Sequence, residues 1–217
     1  MMQRLTEKEG FAAFVLRMRT RGIGDQRLFS AIEATPRSIF VGGQPPEVAF
    51  GSRTVPIECG EVVESIDLQT GMIAALELEE RHRVLEVGTG SGFTAAVMAR
   101  LCARVLTVDR YRSLVENANA RFAALGIGNV IARRADGRDG LPGEGSFDRI
   151  IAWAAFETFP RHFAERLASG GMMIAPVGPG DGIQTMVRLR KMGSRFERED
   201  LANVRMQPLL EGVSAKL

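Results

Sequence analysis

The chain has 217 residues, of which 45% are apolar, and its 28 basic and 26 acidic residues leave a formal net charge of +2. This length and composition suit one α/β domain with a full core and exclude fibrous and disordered classes. The small, interspersed charge excess does not indicate a nucleic-acid-binding surface, and without a long apolar run or an apolar leader segment we expect a cytoplasmic protein that does not contact membranes.

Two amphipathic helices are predicted at the start of the chain. Residues 6–20 place apolar side chains at helical spacing, and Thr6 with Glu9 matches a capping box. A second helix begins near Asp25, a candidate N-cap, and ends before Pro36. Together they predict an N-terminal helical cap.

The segment after these helices has a different character. Residues 42–60 contain Gly-Gly and Pro-Pro pairs, which predict an irregular segment with at most short strands, and such segments are often functional. Helical periodicity returns over residues 66–78. We therefore expect a single domain, with residues 1–60 as a helical cap and substrate-side segment and residues 78–217 as its core.

Short buried strands alternate with helices through the core. Strands are predicted over 83–87, 104–108, 130–133, 147–153 and 172–177, and helices over 93–101, 113–125 and 160–167. This alternation requires a parallel, doubly wound, Rossmann-like sheet. Two further strands around Gly193 predict an antiparallel hairpin at the sheet edge.

A glycine-rich segment joins the first core strand to its helix. Its candidate cofactor-binding residues are Glu86, Gly88, Thr89, Gly90, Ser91 and Gly92. Glycines in this position let a ligand approach the backbone closely. A tight βα turn is the plain alternative, but the strand, helix and second strand around the segment favour a nucleotide-like ligand.

Acidic residues mark three successive strand ends, where open α/β sheets hold ligands. Glu86 is unfavourable near a pyrophosphate but can receive an ammonium group, directly or through water. Asp109, followed by Arg110, can accept hydrogen bonds from two ribose hydroxyls or cap the next helix. Asp136, beside Gly137, can accept from an adenine amino group or belong to a plain turn. This pattern favours S-adenosylmethionine (SAM) over NAD, FAD or ATP.

The cysteines and histidines indicate no metal or redox chemistry. Cys59 and Cys102 are far apart and lack a metal-binding or redox spacing, so two free thiols are expected. His82 and His162 lie in polar contexts without a paired ligand. We therefore predict both histidines at the surface and no metal site.

Several segments together resemble the protein-L-isoaspartate O-methyltransferase family, from about Gly22 to about Gly212. The segments are GIGDQRLFSAIEATPRSIFV, VPI at 55–57, RVLEVGTGSGF, FDRIIAWAA, GGMMIAPVG and RMQPLLEG. The resemblance implies a class I methyltransferase that transfers methyl from SAM to the α-carboxylate of isoaspartyl residues in damaged proteins, leaving S-adenosylhomocysteine. We expect it to act as a monomer on isoaspartyl proteins or peptides.

The chain departs from the family at its Gly-x-Thr-Ile-Ser-x-Pro motif. Counted back from the glycine loop, Glu64 occupies the serine position and Ser65 is displaced by one residue, so both are candidate catalytic residues. A carboxylate there repels a carboxylate substrate unless it is protonated, paired with an arginine or turned away. Trp153 replaces the threonine of the family's Val-Thr-Ala-Ala segment and either walls a substrate pocket or fills core.

This departure leaves three alternatives beside isoaspartyl methylation. Glu64 is suited to act as a base or cation-binding group for a small amine or hydroxyl acceptor. The chain could instead be a SAM-binding module without catalysis, serving as a sensor or partner-binding subunit. An NAD-dependent oxidoreductase is the remaining alternative.

Overall fold

The amino-terminal part forms the predicted helical cap. The computed structural model describes residues 6–139, 141 and 143–215. Its first helices are α1 (Glu7–Thr20), α2 (Gln26–Glu33), α3 (Arg37–Phe40) and α4 (Pro46–Ala49). The capping box of α1 is confirmed, since the Thr6 and Glu9 side chains each accept a hydrogen bond from the other's backbone N–H, and Asp25 caps α2. Helix α4 was not predicted; it is a single turn that begins at a proline, where no backbone N–H is needed.

A seven-stranded sheet forms the core. Its strands are β3 (Arg83–Val87), β4 (Arg104–Asp109), β5 (Val130–Arg134), β6 (Phe147–Ala152), β7 (Leu167–Val177), β8 (Gln184–Met192) and β9 (Arg195–Val204). Their order is β5-β4-β3-β6-β7-β8-β9. The first five are parallel to one another, and β8 is antiparallel to both neighbours. The parallel sheet and the antiparallel edge hairpin are both confirmed.

Helices cover the sheet. They are α5 (Ile66–Ala75), α6 (Phe93–Ala99), α7 (Arg112–Ala124) and α8 (Arg161–Glu165). Every residue of α6 is buried, which is why its sequence is apolar on all sides. The largest difference from prediction is at β7, which begins at Leu167, where a helix was expected to end, and pairs with β6 through a register shift.

A short two-stranded ribbon lies between the cap and α5. It consists of β1 (Val55–Pro56) and β2 (Val62–Val63), joined by a 3₁₀ turn, and is called here the 55–64 ribbon. Glu58 in the turn accepts hydrogen bonds from Arg121 and Asn117 of α7, both at 3.3 Å. The predicted irregular segment is therefore fastened to the core.

The prediction for one histidine is wrong. His82 is buried, because its turn folds back so that Nδ1 accepts a 2.9 Å hydrogen bond from the Glu79 N–H. Burial and the charge of Arg149 lower the pKa of His82. His162 is exposed as predicted, and Cys59 and Cys102 are free thiols.

The described residues hold neither a cluster of metal ligands nor a membrane-spanning helix. Within 6–139, 141 and 143–215, no three His, Cys, Asp or Glu side chains cluster in a way that would hold a metal ion. No helix in the same ranges is long and apolar enough to cross a membrane.

Candidate functional site

An open cleft lies over the carboxyl ends of β3, β4 and β6. Its lining comes from the glycine loop (88–91), the end of β4 (108–111), the 55–64 ribbon (61–64) and the segment after β9 (207–210), with Gln69, Gly137 and Trp153. The cleft thus joins predicted cofactor residues to Glu64, whereas none of residues 6–60 of the predicted substrate-side segment lines it.

The glycine loop presents bare backbone to the cleft. Gly88 and Gly90 have φ values of 94° and 50°, in the left-handed region that favours glycine. They line the cleft with Thr89 and Ser91. Gly92 does not; it is the N-cap of α6, and a Cβ there would lie 2.9 Å from the Cβ of Ala118. Gly92 therefore has a packing role, because it lets the end of the loop lie close against α7.

Asp109 lines the cleft beside this loop. Its Oδ2 accepts a 2.9 Å hydrogen bond from the Gly90 N–H, and its Oδ1 accepts one of 3.1 Å from the Tyr111 N–H. Burial raises the pKa of Asp109, while these backbone donors lower it. The alternative role as N-cap of the next helix is wrong, because Tyr111 holds that position. Arg110 also lines the cleft, and its Nε is buried without a hydrogen-bond partner.

Glu86 lies beneath the cleft and is fully buried. Its carboxylate accepts hydrogen bonds from Thr94 Oγ1 (2.5 Å), Thr107 Oγ1 (2.7 Å) and Trp153 Nε1 (2.9 Å). Burial raises the pKa of Glu86 to about 7, against the lowering effect of the three donors. Trp153 lines the cleft and also packs against the hydrophobic core. Two of these donors, Thr94 and Trp153, themselves line the cleft.

Of the two residues predicted at the third strand end, only one lines the cleft. Gly137 lines the cleft, and a Cβ there would lie 2.5 Å from Cγ1 of Val87. Asp136 does not line it; its oxygens accept hydrogen bonds from the backbone N–H groups of Arg138 (2.8 Å) and Gly212 (2.5 Å). The Asp136 side chain thus holds a turn and the carboxyl-terminal segment.

Of the two candidate catalytic residues, again only one lines the cleft. Glu64 lines the cleft, and burial raises the pKa of its carboxyl group to about 6. Ser65 does not line it; it is the N-cap of α5, and its Oγ accepts from the Leu68 N–H at 3.3 Å. The guanidinium of Arg37 contacts Glu64 only at the backbone carbonyl, at 2.9 Å, and therefore does not pair with its carboxylate.

Sequence reasoning missed a polar group beside Glu64. Gln69 lines the cleft, and its Oε1 accepts a 2.5 Å hydrogen bond from Nη1 of Arg37. Arg37 is buried against the ring of Phe93, with Cζ 4.5 Å from the ring centroid. Nothing local in the sequence marks this pair, because 32 residues separate its members.

The segment after β9 closes one side of the cleft. Its backbone pairs with Ala155, through Ala155 N–H to Gln207 O and Leu209 N–H to Ala155 O, both at 2.8 Å. Leu209 and Leu210 then face the cleft. The only signal for this placement was the likeness of RMQPLLEG to the family's closing segment.

Comparison with known proteins gives a consistent result. The family model described as protein-L-isoaspartate(D-aspartate) O-methyltransferase matches residues 11–214. A protein-L-isoaspartate O-methyltransferase of Rhizobium meliloti (strain 1021) is 44% identical over 202 residues, covering 93% of this chain and 99% of the relative. One of Xanthobacter autotrophicus is 44% identical over 205 residues, covering 94% of each chain.

Solved structures confirm the fold. A putative protein-L-isoaspartate O-methyltransferase from Plasmodium falciparum, in complex with S-adenosyl-L-homocysteine, superposes with a TM-score of 0.79 at 20% identity, covering 91% of this chain and 97% of that one. A second protein-L-isoaspartate O-methyltransferase gives 0.82 at 22% identity, covering 94% of this chain and 67% of that one. The predicted class I methyltransferase fold is correct.

Proposed function

Because the chain belongs to the protein-L-isoaspartate(D-aspartate) O-methyltransferase family of SAM-dependent enzymes, we propose that it methylates the α-carboxylate of isoaspartyl residues in damaged proteins. One observation carries the proposal at the level of residues. A single cleft joins the glycine loop and Asp109 to Glu64, the residue at the family's serine position. Cofactor and acceptor can therefore meet in one cavity.

The residues of the cleft fit the cofactor. Each oxygen of Asp109 makes one backbone hydrogen bond and keeps a lone pair for a ribose hydroxyl. The bare backbone of Gly88 and Gly90, with Thr89 and Ser91, allows close approach of the ligand. We assign Arg110 and Gly137 to the nucleoside end. SAM supplies a methyl group made electrophilic by its sulfonium, and the buried Glu86 contributes negative potential beneath it.

Methylation of a carboxylate requires little from the protein beyond positioning the acceptor. A carboxylate is already ionised at neutral pH, so the chain needs no general base to generate the nucleophile. Its residues act by orienting the acceptor and excluding water. Trp153, Val63 and Leu209 supply apolar walls for this purpose.

We also propose a division of the single domain and a setting for its activity. Residues 1–60 belong to the substrate side and residues 78–217 hold the cofactor. The protein acts in the cytoplasm, as a monomer, on isoaspartyl proteins or peptides. Sedimentation at micromolar concentration tests the monomeric state, and a dimer would contradict it.

A methyl-transfer assay tests the function. The protein is incubated with methyl-labelled SAM and either an isoaspartyl peptide or the same peptide with ordinary aspartate. We expect a base-labile methyl ester only with the isoaspartyl peptide. Ester formation that does not distinguish the peptides, or none above background, would reject the proposal. A base-stable methyl group on an amine would favour another acceptor, and tight SAM binding without transfer would favour a non-catalytic module.

A further inference from the structure

The carboxyl group of Glu64 faces the cleft without a partner. Within residues 6–139, 141 and 143–215 its side chain makes no hydrogen bond or ion pair, while its backbone carbonyl is fixed by Arg37 at 2.9 Å. The main chain is therefore held in place and the carboxyl group is left available to a ligand. Because the cleft is open, water or a ligand can reach this carboxyl group.

Two other acidic residues share the cleft with Glu64. They are Glu61 of the same ribbon and Asp109 of β4; Tyr111 also lines the cleft, and Glu86 lies beneath it. Asp67 of α5 is engaged by Arg17 and Arg21.

Neither cation of this region pairs with the Glu64 carboxylate within the described residues. Arg110 lines the same cleft, and Arg37 of α3 donates to the Glu64 backbone carbonyl. The side chain of Gln69 of α5, which also lines the cleft, is neutral. Burial raises the pKa of Glu64 to about 6.

The proposed acceptor brings one more negative charge into this cleft. An ionised Glu64 would repel it, whereas a protonated carboxyl group carries an O–H that can donate to a carboxylate oxygen. The arriving carboxylate itself favours the protonated form, since two adjacent carboxyl groups share a proton more readily than they both ionise. Loss of the family's serine hydroxyl is thus offset by another hydroxyl donor.

We propose that Glu64 is an acceptor-binding residue that works in its protonated form, donating a hydrogen bond to the substrate carboxylate. The inference rests on the proposed isoaspartyl activity. It makes binding of the peptide proton-dependent, so that the acceptor KM rises with pH while kcat changes little. Gln69 is expected to contribute a second donor, because its Oε1 is held by Arg37 and its Nε2 has no acceptor within the described ranges.

The test measures kcat/KM for the isoaspartyl peptide from pH 6 to pH 9, at saturating SAM, in four proteins: wild type, Glu64→Gln, Glu64→Ala and Glu80→Gln. Glu64→Gln keeps a donor that does not titrate. Glu80→Gln is the matched control, the same substitution at an exposed site outside the cleft. Glu86, Asp109 and the amino group of SAM titrate equally in all four. Circular dichroism and SAM titration verify that each variant is folded.

We expect wild type and Glu80→Gln to lose about tenfold in kcat/KM per pH unit on the descending limb, because the protonated fraction falls by that factor. Glu64→Gln should lack this limb. The remaining pH dependence of its kcat/KM should come from the groups that it shares with wild type, and should exceed their effect by less than about threefold. Glu64→Ala should be weak at every pH. If Glu64→Gln kept the limb, or were inactive while wild type was active, the inference about Glu64 would be overturned and the proposed function would stand. Absence of ester from all four proteins at every pH overturns the proposed function as well.

Discussion

The indole Nε1 of Trp153 donates a 2.9 Å hydrogen bond to Oε1 of Glu86, joining the wall of the cleft to the carboxylate beneath it. Trp153→Phe keeps an aromatic ring but removes this donor. Because the fully buried carboxylate then loses one of its three donors, the free energy of unfolding should fall by about 1–3 kcal/mol. Urea denaturation at pH 8 measures the loss, and an unchanged midpoint would contradict the role given to this contact.

The position of Trp153 also supplies a direct probe of the cleft. It is the only tryptophan of the chain, and it lines the cavity assigned to the cofactor. Titration with S-adenosylhomocysteine should therefore produce a saturable change in tryptophan fluorescence. If calorimetry detected binding while the fluorescence stayed constant, the ligand would lie away from Trp153.

The carboxyl group of Glu86 should make stability depend on pH. Burial raises its folded-state pKa to about 7, above the usual 4.5, so the folded state holds the proton more tightly than the unfolded state. The contribution of Glu86 is therefore most favourable at low pH and is lost as the pH rises through 7.

Glu86→Gln removes this dependence. The free energy of unfolding of wild type should fall relative to that of the variant by about 2–3 kcal/mol between pH 5 and pH 8. Denaturant titrations across this range measure the free energy of unfolding of both proteins. Their difference removes the contributions of the other titrating groups, which the two proteins share. Parallel curves for the two proteins would show that Glu86 does not titrate there.

The local order of elements was predictable because it depends on short-range patterns. Alternating apolar strands and helices, the Thr6–Glu9 capping box and the glycine-bearing βα turn all appear within a few residues of sequence. Parallel pairing then brings the strand ends together, so Asp109 could be placed at the cleft from its position at the end of β4.

Tertiary contacts decided what the sequence did not reveal. Asp136 and Glu86 both follow or end strands, yet their oxygens are taken by Gly212 in one case and by Thr94, Thr107 and Trp153 in the other. His82 combines a local contact, from the Glu79 N–H, with distant ones, since its backbone carbonyl accepts from the Ala103 N–H and the charge of Arg149 acts on its ring. Which of two adjacent residues faces the cleft was set by the start of α5, since Ser65 caps that helix and Glu64 precedes it.

Ion pairs to a buried carboxylate should hold α1 of the cap to α5. Asp67, in the first turn of α5, has a side chain only 3% exposed and is bound by Arg17 at 2.7 Å and Arg21 at 3.0 Å. Asp67→Ala leaves Arg17 and Arg21 without this partner and deprives the buried Arg37 of a nearby negative charge, so it should cost about 2–4 kcal/mol of stability. Glu116→Ala, which breaks the exposed Arg112–Glu116 pair, is the control and should have no measurable effect. Equal melting temperatures for the two variants would contradict the difference in burial.

The support that Gly92 gives to the glycine loop leads to a prediction with an internal control. Its φ is +87°, and an added Cβ would meet Ala118 at 2.9 Å and the ring of Phe122 at 3.0 Å. Gly126 has a similar φ of +63° at the end of α7, but nothing lies within 4 Å of the position of its Cβ.

Both alanine substitutions incur the left-handed backbone cost, and only the one at position 92 adds overpacking. Gly126→Ala should therefore lose about 1 kcal/mol and Gly92→Ala about 2–4 kcal/mol. Because α6 and the loop must shift to relieve the clash, Gly92→Ala should also weaken SAM binding, whereas Gly126→Ala should not. Denaturant titration and calorimetry measure the two effects, and equal losses in both variants would show that Gly92 is required for its backbone conformation alone.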